Sequence, residues 1–271
     1  MNRGHGLIIL FAILYICVIL SEMLKEERFD HILVNLKQKG KVFYEPLAKD
    51  LNVSEDTIRR DIEALYNNGL LLKVRGGAIS QSKNPLTFQD RSQYFSDEKD
   101  VIALKAQQLI RSGQTIFMDG GTTVCAIASH LPANSSFRLI TNNLALIPII
   151  SKFKDIELIV LGGSYNRKTE IVTGGQTCDE VNKYVADLYL MGTCAIHKDF
   201  GITAVFQNDG EVKQSMLKNS NKTFALSNHA KLNLSEYYKV CDLQDVSGLI
   251  TDLPADDTKL NYFRNSGIQL I

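Results

Sequence analysis

Val53-Ser54-Glu55-Asp56-Thr57-Ile58-Arg59-Arg60-Asp61-Ile62 carries a helix start and an amphipathic stripe in one stretch. Ser54 is a good N-cap, because its side-chain oxygen can take an N–H group that the first turn leaves without a partner. Glu55 and Asp56 then suit the positive end of the helix dipole. Ile58, Ile62 and Leu65 recur at i, i+4 and i+7, so they share one buried stripe with Val53 just before the cap. Asp56, Thr57, Arg60, Glu63 and Asn67 fall on the opposite face, with Arg59 on the flank.

The neighbours of this helix give it a role. Phe29, Ile32, Leu33 and Leu36 follow helical spacing within residues 24–39, and Gly40 ends that run. Lys41-Val42-Phe43-Tyr44 has room for one short strand, and residues 45–51 form a short helix with Pro46 in its first turn, where the missing N–H costs nothing. Asn52-Val53 turns the chain into Ser54. Helix, turn and second helix form a helix-turn-helix, whose second helix enters the major groove of DNA with its N-terminal residues toward base edges. Asn67-Asn68-Gly69 stops the helix, and Leu70 to Ala78 reads as a strand and a glycine turn, the shape of a wing. Residues 23–80 are therefore expected to form a winged helix-turn-helix domain. Thr57 and Arg60 are the expected base readers, Ser54 and Arg59 sit beside them, and Lys73 and Arg75 supply phosphate contacts from the wing. The competing reading is a packing or protein-binding module, since this segment holds ten Lys and Arg against nine Asp and Glu, a net charge of about +1.

Bulk properties point to a soluble two-domain protein. An apolar fraction of 45% and a charged fraction of 22% are ordinary for globular chains, and thirty basic residues balance thirty acidic ones, so any DNA contact must come from a local patch. Five cysteines lie far apart with no C-x-x-C pair and no zinc-ligand spacing, which favours the reducing cytoplasm, free thiols and no metal. Leu7 to Leu20 is continuously apolar, but its 14 residues fall short of the ~20 that span a bilayer, and Ser21-Glu22-Met23 offers no small-residue cleavage site. Translation is expected to start at Met23, with residues 1–22 as upstream sequence; a membrane anchor is the alternative.

Residues 81–96 are polar and contain Pro85, as an interdomain linker would. From 97 to 271 helices alternate with short apolar strands at Thr115–Met118, Leu139–Thr141, Ile156–Leu161, Asp187–Met191, Thr223–Leu226, Gly248–Thr251 and Gly267–Leu270. Such alternation predicts an α/β domain with a mostly parallel sheet. Ligands of these sheets bind beyond the carboxyl ends of the strands, and there the chain is polar and glycine-rich. Asp119-Gly120-Gly121-Thr122-Thr123 follows one strand and opens a helix, offering N–H groups, hydroxyls and a positive dipole end to a phosphate. Thr141-Asn142-Asn143, Gly162-Gly163-Ser164 and Gly192-Thr193 follow others. One Gly-Gly pair is turn chemistry; four coincident strand ends make a site. Neither a P-loop nor a G-x-G-x-x-G is present there, which argues against a nucleotide cofactor. His197 and His229 lack a partnered Ser or Cys at recognisable spacing.

Arg28…Ile32, Leu47-Ala48…Leu51-Asn52-Val53-Ser54…Thr57-Ile58-Arg59-Arg60-Asp61-Ile62, Leu65…Gly69 and Val74-Arg75-Gly76-Gly77-Ala78 together resemble the N-terminal signature of the DeoR family of bacterial transcriptional regulators. Arg75 stands where many members have His. Asp119-Gly-Gly-Thr-Thr, Thr141-Asn142, Gly162-Gly163, Glu211-x-Lys213, Lys231 and Ile250-Thr251-Asp252 likewise resemble the family's C-terminal effector domain, which is similar in fold to ribose-5-phosphate isomerase. Asn228 replaces an Asp found in many members. The resemblance implies a repressor of sugar-metabolism genes that binds a double-stranded operator as a dimer or higher oligomer. Its effector would be a phosphorylated sugar or related metabolite, with Lys213 and Lys231 as cationic partners. The rival from another class is a phosphosugar isomerase, for which Asp119, Glu211 and Lys213 would have to move the proton; no compact acidic cluster supports it.

Overall fold

A computed structural model of the chain describes residues 24–67, 70–80, 88–93 and 95–271. The apolar leader, Asn68-Gly69 and residues 81–87 of the expected linker lie outside the described residues. The chain divides into two units, one ending at Ser82 and one running from Lys83 to Ile271.

In the first unit, α1 (Lys25–Lys39) ends where Gly40 takes a left-handed φ of 73° and its N–H reaches the Leu36 carbonyl. Strand β1 (Lys41–Phe43) and helix α2 (Tyr44–Asp50) lead through Asn52 to α3 (Glu55–Asn67), the helix expected from the sequence. Ser54 caps it as its chemistry predicts, accepting the Thr57 N–H at 3.1 Å. Ile58, Ile62 and Leu65 are fully buried and meet Ile32, Leu36, Leu47 and Leu71 in one core. β2 (Leu71–Val74) and β3 (Gly77–Ser80) form the wing hairpin around Arg75-Gly76, and β3 also pairs with β1. Gly77 allows that second pairing, because a Cβ there would lie 2.0 Å from the Val42 carbonyl oxygen. A buried ion pair fixes the pitch of α3 against α1: Arg28 donates to both Asp61 oxygens, at 2.6 and 3.1 Å.

The second unit is built on a seven-stranded parallel sheet in the order β15-β14-β12-β9-β4-β5-β6, containing all seven strands read from the sequence. These are β4 (Thr115–Met118), β5 (Arg138–Thr141), β6 (Glu157–Val160), β9 (Leu188–Gly192), β12 (Thr223–Leu226), β14 (Gly248–Ile250) and β15 (Gln269–Leu270). Helices α4 (Phe88–Gln93), α5 (Ser96–Ala106), α6 (Thr122–Ser129), α7 (Ile147–Ile150), α8 (Gly175–Val181), α9 (Gln207–Lys218) and α10 (Asn261–Arg264) complete the frame. Separate apolar clusters, one around Phe117, Tyr189 and Met216 and one around Ile116, Val124 and Leu190, use alternate residues of the central strands.

Two antiparallel additions were not expected. β7 (Ser164–Asn166) and β8 (Ile171–Thr173) make a hairpin, and β10 (Ala195–His197), β11 (Gly201–Ala204) and β13 (Tyr238–Cys241) make a small second sheet. Strands of three or four residues show too little alternation to stand out from loop. The expected linker also contains helix α4, and α5 gives way to a 3-10 turn at Gln107–Leu109.

Removing one partner of a buried ion pair strands the other, so Asp61→Ala should destabilise the first unit by about 3 kcal/mol. Urea unfolding followed by a probe in that unit checks this; a loss below about 0.5 kcal/mol would make the pair incidental.

Candidate functional site

Strands β5 and β6 extend the sheet on one side of β4, whereas β9, β12, β14 and β15 extend it on the other. The chain therefore reverses direction between β4 and β9, and crevices at such reversals are where ligands enter parallel sheets. Asp119 sits at this point, fully buried. Its carboxylate accepts the Tyr189 hydroxyl at 2.5 Å, the Gly192 N–H at 2.7 Å and the Lys213 ammonium at 2.5 Å. Lys213 also donates to the Gly192 carbonyl at 3.0 Å and lies 3.6 Å from Asp209. Burial, with Asp209 nearby, pushes the Asp119 carboxyl up, and the Lys213 ammonium and the Tyr189 hydroxyl pull against that shift. Burial also opposes the Lys213 charge; the Asp119 and Asp209 carboxylates outweigh it and raise that lysine above its usual range. Gly192 makes the contact possible, since a Cβ there would be 2.6 Å from the Gly120 carbonyl oxygen.

Gly120, Gly121 and Thr122 lie half-exposed above this buried pair. Gly121 adopts φ 134°, a conformation that side chains disfavour, and so opens α6 with its first N–H groups turned outward. Cations gather around that helix end. Lys231 donates to the Thr193 carbonyl at 2.7 Å, and Lys99 donates to the Arg91 carbonyl. Burial, with Lys231 and Arg91 next to it, brings Lys99 down to about 8. Burial, with Arg91 and Lys213 nearby, brings Lys231 to about 8 as well. A cavity of about 290 Å³ lies between α4, α5 and α6, lined by Ser92, Ser96, Lys99, Thr122 and Cys125. Burial pushes the Cys125 thiol up to about 12, so it is an inert wall of that cavity.

The other residues singled out from the sequence fall into two groups. Thr123 is buried in the first turn of α6. Thr141 is buried too, donating to the Met118 carbonyl at 2.5 Å and accepting the Asn143 N–H at 3.0 Å. Gly162 is held by α8, its N–H on Glu180 at 2.7 Å and its carbonyl on the Thr177 hydroxyl at 2.7 Å; Gly163 abuts the same threonine. These are internal fastenings of the loops. Asn142 and Asn228 differ, each buried with a side-chain oxygen that has no partner among the described residues. His229 has a partner that spacing could not reveal: its Nδ1 lies 2.6 Å from Asp252, whose carboxyl is held low by this contact against the opposing effect of burial.

In the first unit, Arg59 and Arg60 are exposed on α3, and Arg75 is exposed at the wing turn. Arg59 lies 3.7 Å from Asp56 and 5.4 Å over the Tyr44 ring. Thr57 shares a 2.9 Å hydroxyl contact with Ser54, and Lys73 pairs with Glu63 while lying over the Tyr66 ring. Sequence reasoning missed Arg91 and Lys99, which sit in the expected linker and on an ordinary amphipathic helix. The signal available was three cations, with Lys231, near strand ends otherwise rich in Gly and Thr.

Asp119→Asn leaves the Lys213 ammonium buried without its counter-ion, a change expected to destabilise the second unit by about 3–5 kcal/mol. Thermal unfolding checks it against Lys152→Ala, an exposed control; equal shifts would mean that the pair does not hold the strand ends.

Two family models match the chain: the DeoR-like helix-turn-helix domain over residues 28–84 and the DeoR C terminal sensor domain over residues 95–253. The HTH-type transcriptional repressor GlcR of Bacillus subtilis (strain 168) is 32% identical, over 92% of this chain and 96% of its own. The glycerol-3-phosphate regulon repressor of Escherichia coli (strain K12) is 28% identical, over 92% of this chain and 99% of its own. Among solved structures, ribose 5-phosphate isomerase A from Methanocaldococcus jannaschii is similar with a TM-score of 0.38, at 16% identity over 51% of this chain and 54% of that one. With a sensor-domain model matching more than half its length and relatives aligned nearly end to end, the chain belongs to the DeoR family of transcriptional regulators.

Proposed function

We infer that this regulator is a sequence-specific repressor of carbohydrate-metabolism genes, bound to its operator through paired winged helices and modulated by a phosphorylated sugar or related metabolite. The observation that carries the effector half is the convergence of Lys99, Lys231 and Arg91 on the open end of α6. Like charges gathered at a helix N-terminus destabilise one another until an anion joins them. Gly120, Gly121 and Thr122 offer main-chain N–H donors to the same anion, and the Asn142 and Asn228 oxygens, without a partner among the described residues, suit hydroxyl donors of a sugar. A relative named as the repressor of a glycerol-3-phosphate regulon supports the gene class.

Geometry favours the regulator over the isomerase alternative. Asp119 and Lys213 are buried and saturate one another, and Glu211 accepts the Gln207 side chain at 2.8 Å. None of the three is poised to move a proton at C1 or C2 of a sugar.

For the DNA half, the exposure of Arg60 and Arg75 supports a base contact by the first and a phosphate contact by the second, while Lys73 must leave Glu63 before it can meet a phosphate. Arg60→Ala should weaken operator binding by about 1–3 kcal/mol and leave random-sequence DNA nearly unaffected. Equal losses on both, measured by anisotropy titration, would make Arg60 a phosphate contact.

A thermal-shift panel of phosphorylated sugars tests the effector half, because a ligand of the folded state raises the unfolding midpoint. The pH dependence has a definite sign. Lys99 and Lys231 carry their charge below about 8 and lose it above, so effector affinity should fall as pH rises through 8. Affinity constant from pH 7 to 9 would place the anion elsewhere.

A further inference from the structure

Arg91 differs from Lys99 and Lys231 in its place in the chain. It lies on α4, the first described element after β3 in the chain, and two donors of the site hold its main chain: Lys99, and Thr122 through its hydroxyl at 3.4 Å. Its side chain is unfinished. The Nε donor is buried and has no acceptor among the described residues, although a guanidinium is built to bind an oxyanion with several N–H groups at once. The joint beyond α4 also stores strain: Phe95, a non-glycine residue, takes φ 54° at the start of α5 and sets its ring edge-on to His229. Helix α4 is thus six residues of chain seated over the site by its backbone, with a buried cationic donor awaiting a counter-ion.

We propose that Arg91 is the coupling residue of the sensor: its guanidinium takes the effector's anionic group across from Lys99 and Lys231, and so clamps α4 onto the open end of α6. This rests on the strand-end site being the effector site. Regulation then follows from chain order, since α4 and the segment before it join the DNA-binding unit to the sensor. An anion that binds only when Arg91 is in place favours the clamped state by its differential affinity. The cluster is cationic enough to need the ligand. Repulsion among three positive groups works against the clamped state when no anion is present and turns to attraction toward a shared phosphate when it is.

Hydrogen exchange of the full chain, with inorganic phosphate as the probe and chloride at matched ionic strength as the control, reads both halves at once. Phosphate is expected to slow exchange at residues 119–125 and, several-fold, at residues 88–93. In Arg91→Gln the slowing at 119–125 should persist at about tenfold higher phosphate, while that at 88–93 disappears; Arg91→Lys, which keeps the charge without the fork, should restore it only in part. Slowing at 119–125 with residues 88–93 unchanged in the unsubstituted chain overturns the clamp and leaves the effector site standing. Equal slowing of 88–93 in Arg91→Gln overturns the role of Arg91. If phosphate slows neither segment, the effector site falls and the clamp with it.

Discussion

The buried pair between Asp119 and Lys213 is the constraint on which the second unit depends. Two charges have been taken fully out of water, a large cost that only close geometry and complete hydrogen bonding offset. The carboxylate meets that demand with a phenol, a backbone N–H and an ammonium, and the ammonium with two carboxylates and a carbonyl. Those partners come from β4, β9 and α9, so satisfying the pair fixes how the two halves of the sheet and one covering helix meet at the switch in strand order. It also forces glycine at position 192, where no side chain fits.

Because Asp119 is spent on this contact, the ligand-facing part of the proposed site is one layer out. There the electrostatics are opposite in character. Inside, every charge is matched; outside, Arg91, Lys99 and Lys231 face one another, and Lys99 and Lys231 are pulled down to about 8. A buried, charge-matched floor beneath a rim of mutually repelling cations suits the proposed sensor. The floor keeps the N–H groups of α6 aimed at one place, and the rim stays unfavourable until an anion supplies the missing charge. Ligand and floor do not compete for the same side chains, which is why binding need not loosen the sheet.

Much of this was legible in the sequence, for physical reasons that also explain the gaps. Ser54, Ile58, Ile62 and Leu65 announce α3 because capping and a 3.6-residue stripe are local properties. Asp119-Gly-Gly-Thr-Thr announces a strand end because glycine and threonine there have few other uses. Lys213 was selected from the sequence as a cation of the site, and the structure gives it a place in the floor: only the fold shows that its four-carbon stem reaches Asp119, 94 residues away. Arg91 is not legible as a site residue because its neighbours read as linker, and its place comes from contacts with α5 and α6. The β7–β8 hairpin and the β10-β11-β13 sheet escaped notice because their pairings lie in tertiary contacts across very short strands.

The near-zero charge of the first unit bears on how the proposed switch would work. Two of the cations proposed to meet DNA are paired with carboxylates of the same unit, Arg59 with Asp56 and Lys73 with Glu63, so DNA must compete with internal partners for them. Each phosphate contact then yields less than its Coulomb attraction suggests, since an existing ion pair opens first. In the proposed paired arrangement, two winged helices gain affinity through effective concentration, which depends on the length and stiffness of the joining segment. A sensor that alters only that segment, by clamping or releasing a six-residue helix, acts on the most sensitive quantity available. A coupling of about 1–3 kcal/mol at Arg91 would suffice to move such a repressor on or off its operator without any change in the recognition helix itself.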